Sequence, residues 1–306
     1  MKKKSLYLFV LLMVCSMVLT ACGGDKDSIR VDKHSNNKKF TIVTSFYPLY
    51  NFTLNVTKDI PDISVVNMTE PQTGCLHDYQ FSAKDMKTLE KADVFVINGA
   101  GMEDFMKKVI EELPDLKVVE ASKGINLLKD KKNGEENPHV WVSISGAIEE
   151  VKNITRELST LKPEYKEYLN KNGNAFVSKL EAEKKKMHDQ LDKVKNKDIV
   201  TLHEAFPYFA KEFGLNIAAV IEREPGTEPS AGEFADTIEM IKKAGIKVLF
   251  AEPQYSQKVA ESIASQTGAK VYNLDPFVTG SDKNDLDSYI KTMDANLKVL
   301  SEALNN

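Results

Sequence analysis

Cysteine, glycine and tryptophan are scarce in this chain of 306 residues, which has 3, 15 and 1 of them. Three cysteines cannot build a disulfide scaffold, and so few glycines exclude a collagen-like chain. A large excess of one charge is also missing, since 41 basic side chains face 45 acidic ones. The net charge of −4, with 42% hydrophobic residues, is wrong for compositional disorder and offers little to displace counterions from a nucleic acid. The apolar stretch from Leu6 to Leu19 falls short of the roughly 20 residues that a bilayer-crossing helix needs. What is present is length enough for two globular units at about 150 residues each. A buried core must supply the stability.

Position gives these totals their meaning. Lys2, Lys3 and Lys4 precede the apolar stretch and small residues follow it, the pattern of a secretory signal over 1–21. Leu19-Thr20-Ala21-Cys22-Gly23 resembles the lipobox of bacterial lipoproteins. That resemblance implies cleavage before Cys22, a lipid on Cys22, and a protein held to the extracytoplasmic face of the cell membrane. Loss of 1–21 leaves 38 basic against 45 acidic side chains. Cys15 departs with the signal and Cys22 is taken by lipid, so Cys75 is the one remaining thiol and no intramolecular disulfide is expected. Residues 22–39 are polar and aperiodic and read as a flexible tether. His34 within it has no second ligand type spaced around it and reads as a solvated residue.

From Phe40 onward, short β-branched runs alternate with helical periods. TIVTSF (41–46), ISVVNM (63–68), DVFVIN (93–98) and LKVVEA (116–121) have strand length, with helical segments expected at 48–58, 83–91 and 103–112. DIVTL (198–202), NIAAVIE (216–222), KVLFAE (247–252) and KVYNL (270–274) repeat the theme, and 285–304 is an amphipathic helix. Alternation of this kind predicts parallel sheets. The expected class is α/β: an N-terminal lobe at 40–145 and a C-terminal lobe at 196–306, each a mainly parallel sheet flanked by helices. A helical connector at 146–195, interrupted at Pro163, supplies a long rigid helix between them. His188 in that connector reads as an exposed helix residue.

Ligands of open α/β sheets bind beyond the carboxyl ends of the strands. Four side chains of metal-binding type fall there: His77 and His139 in the first lobe, His203 and Asp275 in the second. Each has an ordinary reading as well. His77 and His203 lie near helix starts, His139 lies in a loop, and Asp275 before Pro276 is common turn chemistry. Together, three imidazoles and a carboxylate from two lobes form a donor set for a transition metal.

The chain also resembles a known family over almost its whole length after the tether. The matching pieces are TSFYPLY, His77-Asp78-Tyr79 with Ser82 and Asp85, and Pro138-His139-Val140-Trp141. They continue with His203-Glu204-Ala205-Phe206-Pro207-Tyr208-Phe209, Glu228-Pro229-Ser230, Phe250-Ala251-Glu252-Pro253-Gln254 and Leu274-Asp275-Pro276. Their order resembles the zinc/manganese substrate-binding lipoproteins of ABC importers, the cluster 9 or A-I group. The resemblance implies two α/β lobes joined by a rigid helix, with His77, His139, His203 and Asp275 in the four ligand positions. It also implies a monomer whose partners are a divalent metal ion, an ABC permease and, through the lipid, the membrane.

Three imidazoles with one carboxylate suit Zn2+ better than Mn2+, which favours oxygen-richer sites. Zinc is therefore the expected cargo and manganese the alternative, with binding weakening as pH falls through the imidazole range near 6.5. Some features depart from the family pattern. Lys129–Glu136 holds no histidine, so capture assisted by a His-rich loop is not expected, and no proline follows Trp141 in the next few residues. Cys75 reads as a buried structural thiol, with a ligand for soft metals as its alternative. A zinc hydrolase using Glu204 or Glu222 as base, and an adhesin, are the competing functions. The chain is not expected to be an enzyme.

Overall fold

Every β-branched run named above becomes a strand, and the strands assemble into two parallel sheets. The computed structural model describes residues 39–77, 79–129, 134–221, 229–281 and 284–305. The expected signal, Cys22 and His34 lie outside the described residues. In the first sheet, β1 (Phe40–Thr44), β2 (Ile63–Asn67), β3 (Val94–Ile97) and β4 (Lys117–Glu120) run in the order β2-β1-β3-β4. In the second, β5 (Asp198–Thr201), β6 (Asn216–Val220), β7 (Val248–Ala251) and β8 (Lys270–Asn273) take the order β6-β5-β7-β8. All neighbours are parallel, with Val43 opposite Phe95 in one sheet and Thr201 opposite Phe250 in the other. The central strands β3 and β7 are buried at every residue, which is why VFVI and VLFA show no polar alternation.

Helices cover the sheets. In the first lobe these are α1 (Tyr47–Val56), α2 (Ala83–Leu89) and α3 (Met106–Glu112). Ser82 and Asp85 close a capping box on α2, satisfying backbone donors that would otherwise be orphaned. The connector divides into α4 (Ile144–Leu161) and α5 (Lys166–Leu191), separated by a tight turn at Pro163–Tyr165. Proline has no N–H for a helix ladder, so the break falls where Pro163 stands. At 26 residues, α5 spans about 39 Å. The second lobe adds α6 (Pro207–Phe213), α7 (Ala231–Ala244), α8 (Lys258–Thr267) and α9 (Ser288–Asn305). Ser230 and Glu233 form the capping box of α7. His188 on α5 is half-buried rather than exposed, pairing with Asp192 at 3.0 Å and packing on Phe213.

The last helix does not stay with its own sheet. It packs on α5 and α1 as well as β8. Asn51 Nδ2 donates to Ser288 Oγ at 2.8 Å, and Asn55 Nδ2 donates to the Leu286 carbonyl at 2.9 Å. One apolar core consequently runs through both lobes, from Ile42 and Val94 by way of Trp141, Ile148 and Leu180 to Ile199, Phe250 and Tyr289. Each fully buried side chain of this size contributes roughly 1.5–3 kcal/mol. A shared core leaves little freedom for wide hinge opening. Among the described residues no helix is long and apolar enough to cross a membrane.

Candidate metal centre

Parallel pairing sends the carboxyl ends of four strands in each sheet toward one edge, and the histidines stand on the loops that leave those edges. His203 follows β5 by two residues, with Leu202 anchored to the Phe250 carbonyl at 2.8 Å. His139 immediately precedes the turn at Val140–Val142. That turn is pinned to the second lobe, because Trp141 Nε1 donates to the Pro276 carbonyl at 2.9 Å and Tyr289 Oη donates to the Trp141 carbonyl at 2.8 Å. Ser143 caps α4 by accepting from the Gly146 amide. The loop bearing His77 leaves β2 and is held at Gly74. That residue has φ +84°, which favours glycine, and a Cβ there would lie 2.9 Å from Tyr255 Oη and push that hydroxyl aside. The Cys75 amide donates to the same hydroxyl at 3.1 Å.

These constraints bring three imidazoles together. His77 Nε2 and His139 Nε2 are 3.1 Å apart, and the His203 ring lies 4.9 Å from that of His139 and 6.0 Å from that of His77, centre to centre. One ligand atom each from Cys75, His77, His139 and His203 falls within 4.8 Å of all the others. His139 and His203 are buried, while His77 and Cys75 are half-buried. Asp275 is not in that group. Its Oδ1 accepts from Gln254 Nε2 at 2.7 Å and from the Phe277 amide at 2.8 Å. Cys75 is half-buried at the edge of the apolar core and turns toward the histidines, with Sγ 3.4 Å from His139 Nε2.

Hydrogen bonds behind the rings set which nitrogen faces the crevice. Asn137 Nδ2 donates to the Glu204 carbonyl at 2.9 Å, which fixes its amide and turns Oδ1 toward His139. That oxygen accepts from the His139 amide at 3.0 Å and from Nδ1 at 3.1 Å, leaving the Nε2 lone pair outward. His203 Nδ1 donates to Glu252 Oε1 at 3.1 Å, both side chains being buried. His203 Nε2 is also buried and has no hydrogen-bond partner among the described residues. An unmet buried polar atom costs about 1–3 kcal/mol, and a cation removes that penalty.

Burial, reinforced by the neighbouring His203 and His77, holds the His139 imidazole well below its ordinary value of 6.5 and therefore neutral, the form that binds metal. Burial also raises the Asp275 carboxyl, against the hydrogen bonds from Phe277 and Gln254. A bound dication would favour its ionised form. A second buried carboxylate, Glu103, accepts from Ser45 Oγ and the Asn98 and Gly99 amides at 2.8–3.0 Å. With only neutral partners, burial raises it to about 7.

Sequence reasoning gave no role to Asn137, Glu252 or Tyr255. Glu252 was discoverable, since it follows β7 as His203 follows β5, and these two strands are paired. Nothing local marks Tyr255, which lies far along the chain from the loop it clamps. Glu204 contributes its backbone carbonyl, and Glu222 lies outside the described residues.

Convergent imidazoles from two parallel-sheet lobes, joined by a long helix, define a solute-binding protein for a transition-metal ion. The profile of the family described as ZnuA, zinc-uptake complex component A, periplasmic, matches residues 42–303. The chain is 33% identical over 324 aligned positions to the high-affinity zinc uptake system protein ZnuA of Bacillus subtilis, covering 99% of each. It is 34% identical over 321 positions to the zinc-binding lipoprotein AdcA of Streptococcus pneumoniae, spanning 99% of this chain and 61% of that longer protein. Among solved structures, FpvC of Pseudomonas aeruginosa in complex with Mn2+ aligns at TM-score 0.78 and 31% identity, covering 87% of this chain and 98% of that one. The chain belongs to the zinc-uptake complex component A family.

Proposed function

We propose that the protein captures one Zn2+ in the crevice between its lobes and delivers it to an ABC permease. His77, His139 and His203 supply nitrogen donors, and Asp275 supplies a carboxylate from the second lobe. The observation that carries this reading is the buried, unpartnered Nε2 of His203 beside two other imidazoles from the opposite lobe. FpvC binds Mn2+ on the same fold, so the fold alone does not choose the ion. The donor set does: three neutral imidazoles favour zinc over manganese. The names of the Bacillus and Streptococcus relatives point the same way.

Because the donors are divided between lobes, the ion favours the closed arrangement by its difference in affinity for the two states. The permease would read that closed face. The core shared by both lobes and the Trp141–Pro276 hydrogen bond keep the movement small. Protein donors from both lobes would surround the ion and leave no open position for the water that a hydrolase activates, so the site binds without catalysis. Lipid on Cys22 would keep the protein beside its permease at the extracytoplasmic surface, where a monomer suffices.

Metal analysis of protein purified without chelator tests the proposal. One zinc per chain is expected, with zinc lost in His77→Ala and in His203→Ala. Calorimetry showing manganese bound more tightly than zinc would overturn the choice of ion.

A further inference from the structure

We propose that Cys75 is a further ligand for the captured ion, placing a sulfur donor beside the three imidazoles and biasing the site toward thiophilic cations. This rests on the metal-capture reading above and adds the residue that sharpens its selectivity.

The observation is positional. Cys75 Sγ shares the 4.8 Å group with His77, His139 and His203 and lies 3.4 Å from His139 Nε2. The backbone holds it there, since the Gly74 turn and the Tyr255 hydroxyl fix the residue before it and its own amide. The next side chain, Leu76, is buried in the core, and Cys75 packs at the edge of that core with its Sγ facing His139. Met102 Sδ lies 3.9 Å behind Sγ and is fully buried, lending the sulfur a polarisable wall instead of water. The independent sign of a cation is His203 Nε2, buried and without a partner among the described residues.

Binding would break the S–H bond, form a sulfur–metal bond and release the proton to solvent. The thiolate and Asp275 would then match the two charges of a divalent ion. Thiolate favours Zn2+ and Cd2+, whereas Mn2+ prefers carboxylate, carbonyl and water. The site would therefore reject manganese more strongly than three imidazoles and a carboxylate can.

Cobalt substitution tests this, because a bound thiolate gives a near-ultraviolet sulfur-to-cobalt band that nitrogen and oxygen donors do not. Co2+-loaded wild type is expected to show the band, and Cys75→Ser to lose it while keeping the visible cobalt bands. Competition titrations should show the preference for Zn2+ over Mn2+ falling at least about tenfold in Cys75→Ser, with Cys75→Ala behaving alike. A cobalt-loaded wild type without the sulfur band, or an unchanged zinc-to-manganese preference in both variants, overturns the assignment of Cys75 and leaves zinc capture standing. Wild type that binds neither cobalt nor zinc overturns both.

Discussion

The two lobes share one strand order yet prepare their ligands differently. In the second lobe, His203 is backed by the buried carboxylate of Glu252. In the first, His139 is backed by the neutral amide of Asn137, and a buried carboxylate of that lobe, Glu103, has only neutral donors around it. The second lobe thus offers an imidazole oriented by a buried carboxylate, and the first offers one held neutral by burial. An ion meeting both finds one donor held in place by a carboxylate and one from which protons are easily excluded. A carboxylate behind a ligand strengthens it, while a carboxylate without a counter-charge becomes sensitive to pH.

Removing the ring that joins the lobes should have the largest effect. His203→Ala is expected to lower zinc affinity by about 1,000-fold, or roughly 4 kcal/mol, in competition with a chelator of known affinity. An unchanged affinity would mean that the second lobe contributes no nitrogen donor.

The uncompensated burial of Glu103 should make stability depend on pH. The folded Glu103 carboxyl titrates near 7, above its ordinary 4.5. Its contribution to stability is therefore fully present below pH 4.5 and is lost as pH rises through about 7. A tenfold change in proton affinity is worth about 1.4 kcal/mol, so the loss amounts to roughly 3 kcal/mol. Denaturant melts of the metal-free protein from about pH 5 to about pH 8.5 should show the decline, and Glu103→Gln should flatten it.

Glu252→Gln removes the charge behind His203 and should weaken zinc binding by about 10–100-fold. Asn137→Ala should fall at the low end of that range, because it removes a neutral acceptor. Equal losses in the two variants would erase the contrast between the lobes. The smallest effect is expected at the seam, where Trp141→Phe loses the hydrogen bond to the Pro276 carbonyl. Metal-free stability should fall by about 1–2 kcal/mol, measured by urea melts, with the zinc stoichiometry kept.

The strands were readable because their signal is local. The runs at 93–98 and 247–252 are apolar throughout most of their length, as fully covered central strands must be, and they became β3 and β7. The helix expected at 103–112 begins later, at Met106, because the Glu103 carboxylate turns back to accept from the Asn98 and Gly99 amides. The return of α9 across to α1 was not readable, since it depends on Asn51 and Asn55 meeting residues more than two hundred positions away. Histidines at strand ends were equally visible, but not the directions in which the side chains of Cys75 and Asp275 point.

The sequence by itself determined the alternation of strand and helix, and with it the parallel sheets and the edge at which their loops gather. Those follow from periodicity and strand-end placement, which any short window carries. Tertiary structure alone decided that Tyr255 braces the loop of His77, that Glu252 stands behind His203, and that Cys75 rather than Asp275 lies among the imidazoles. Such contacts join segments distant in the chain, so their geometry exists only once both lobes have packed on one core.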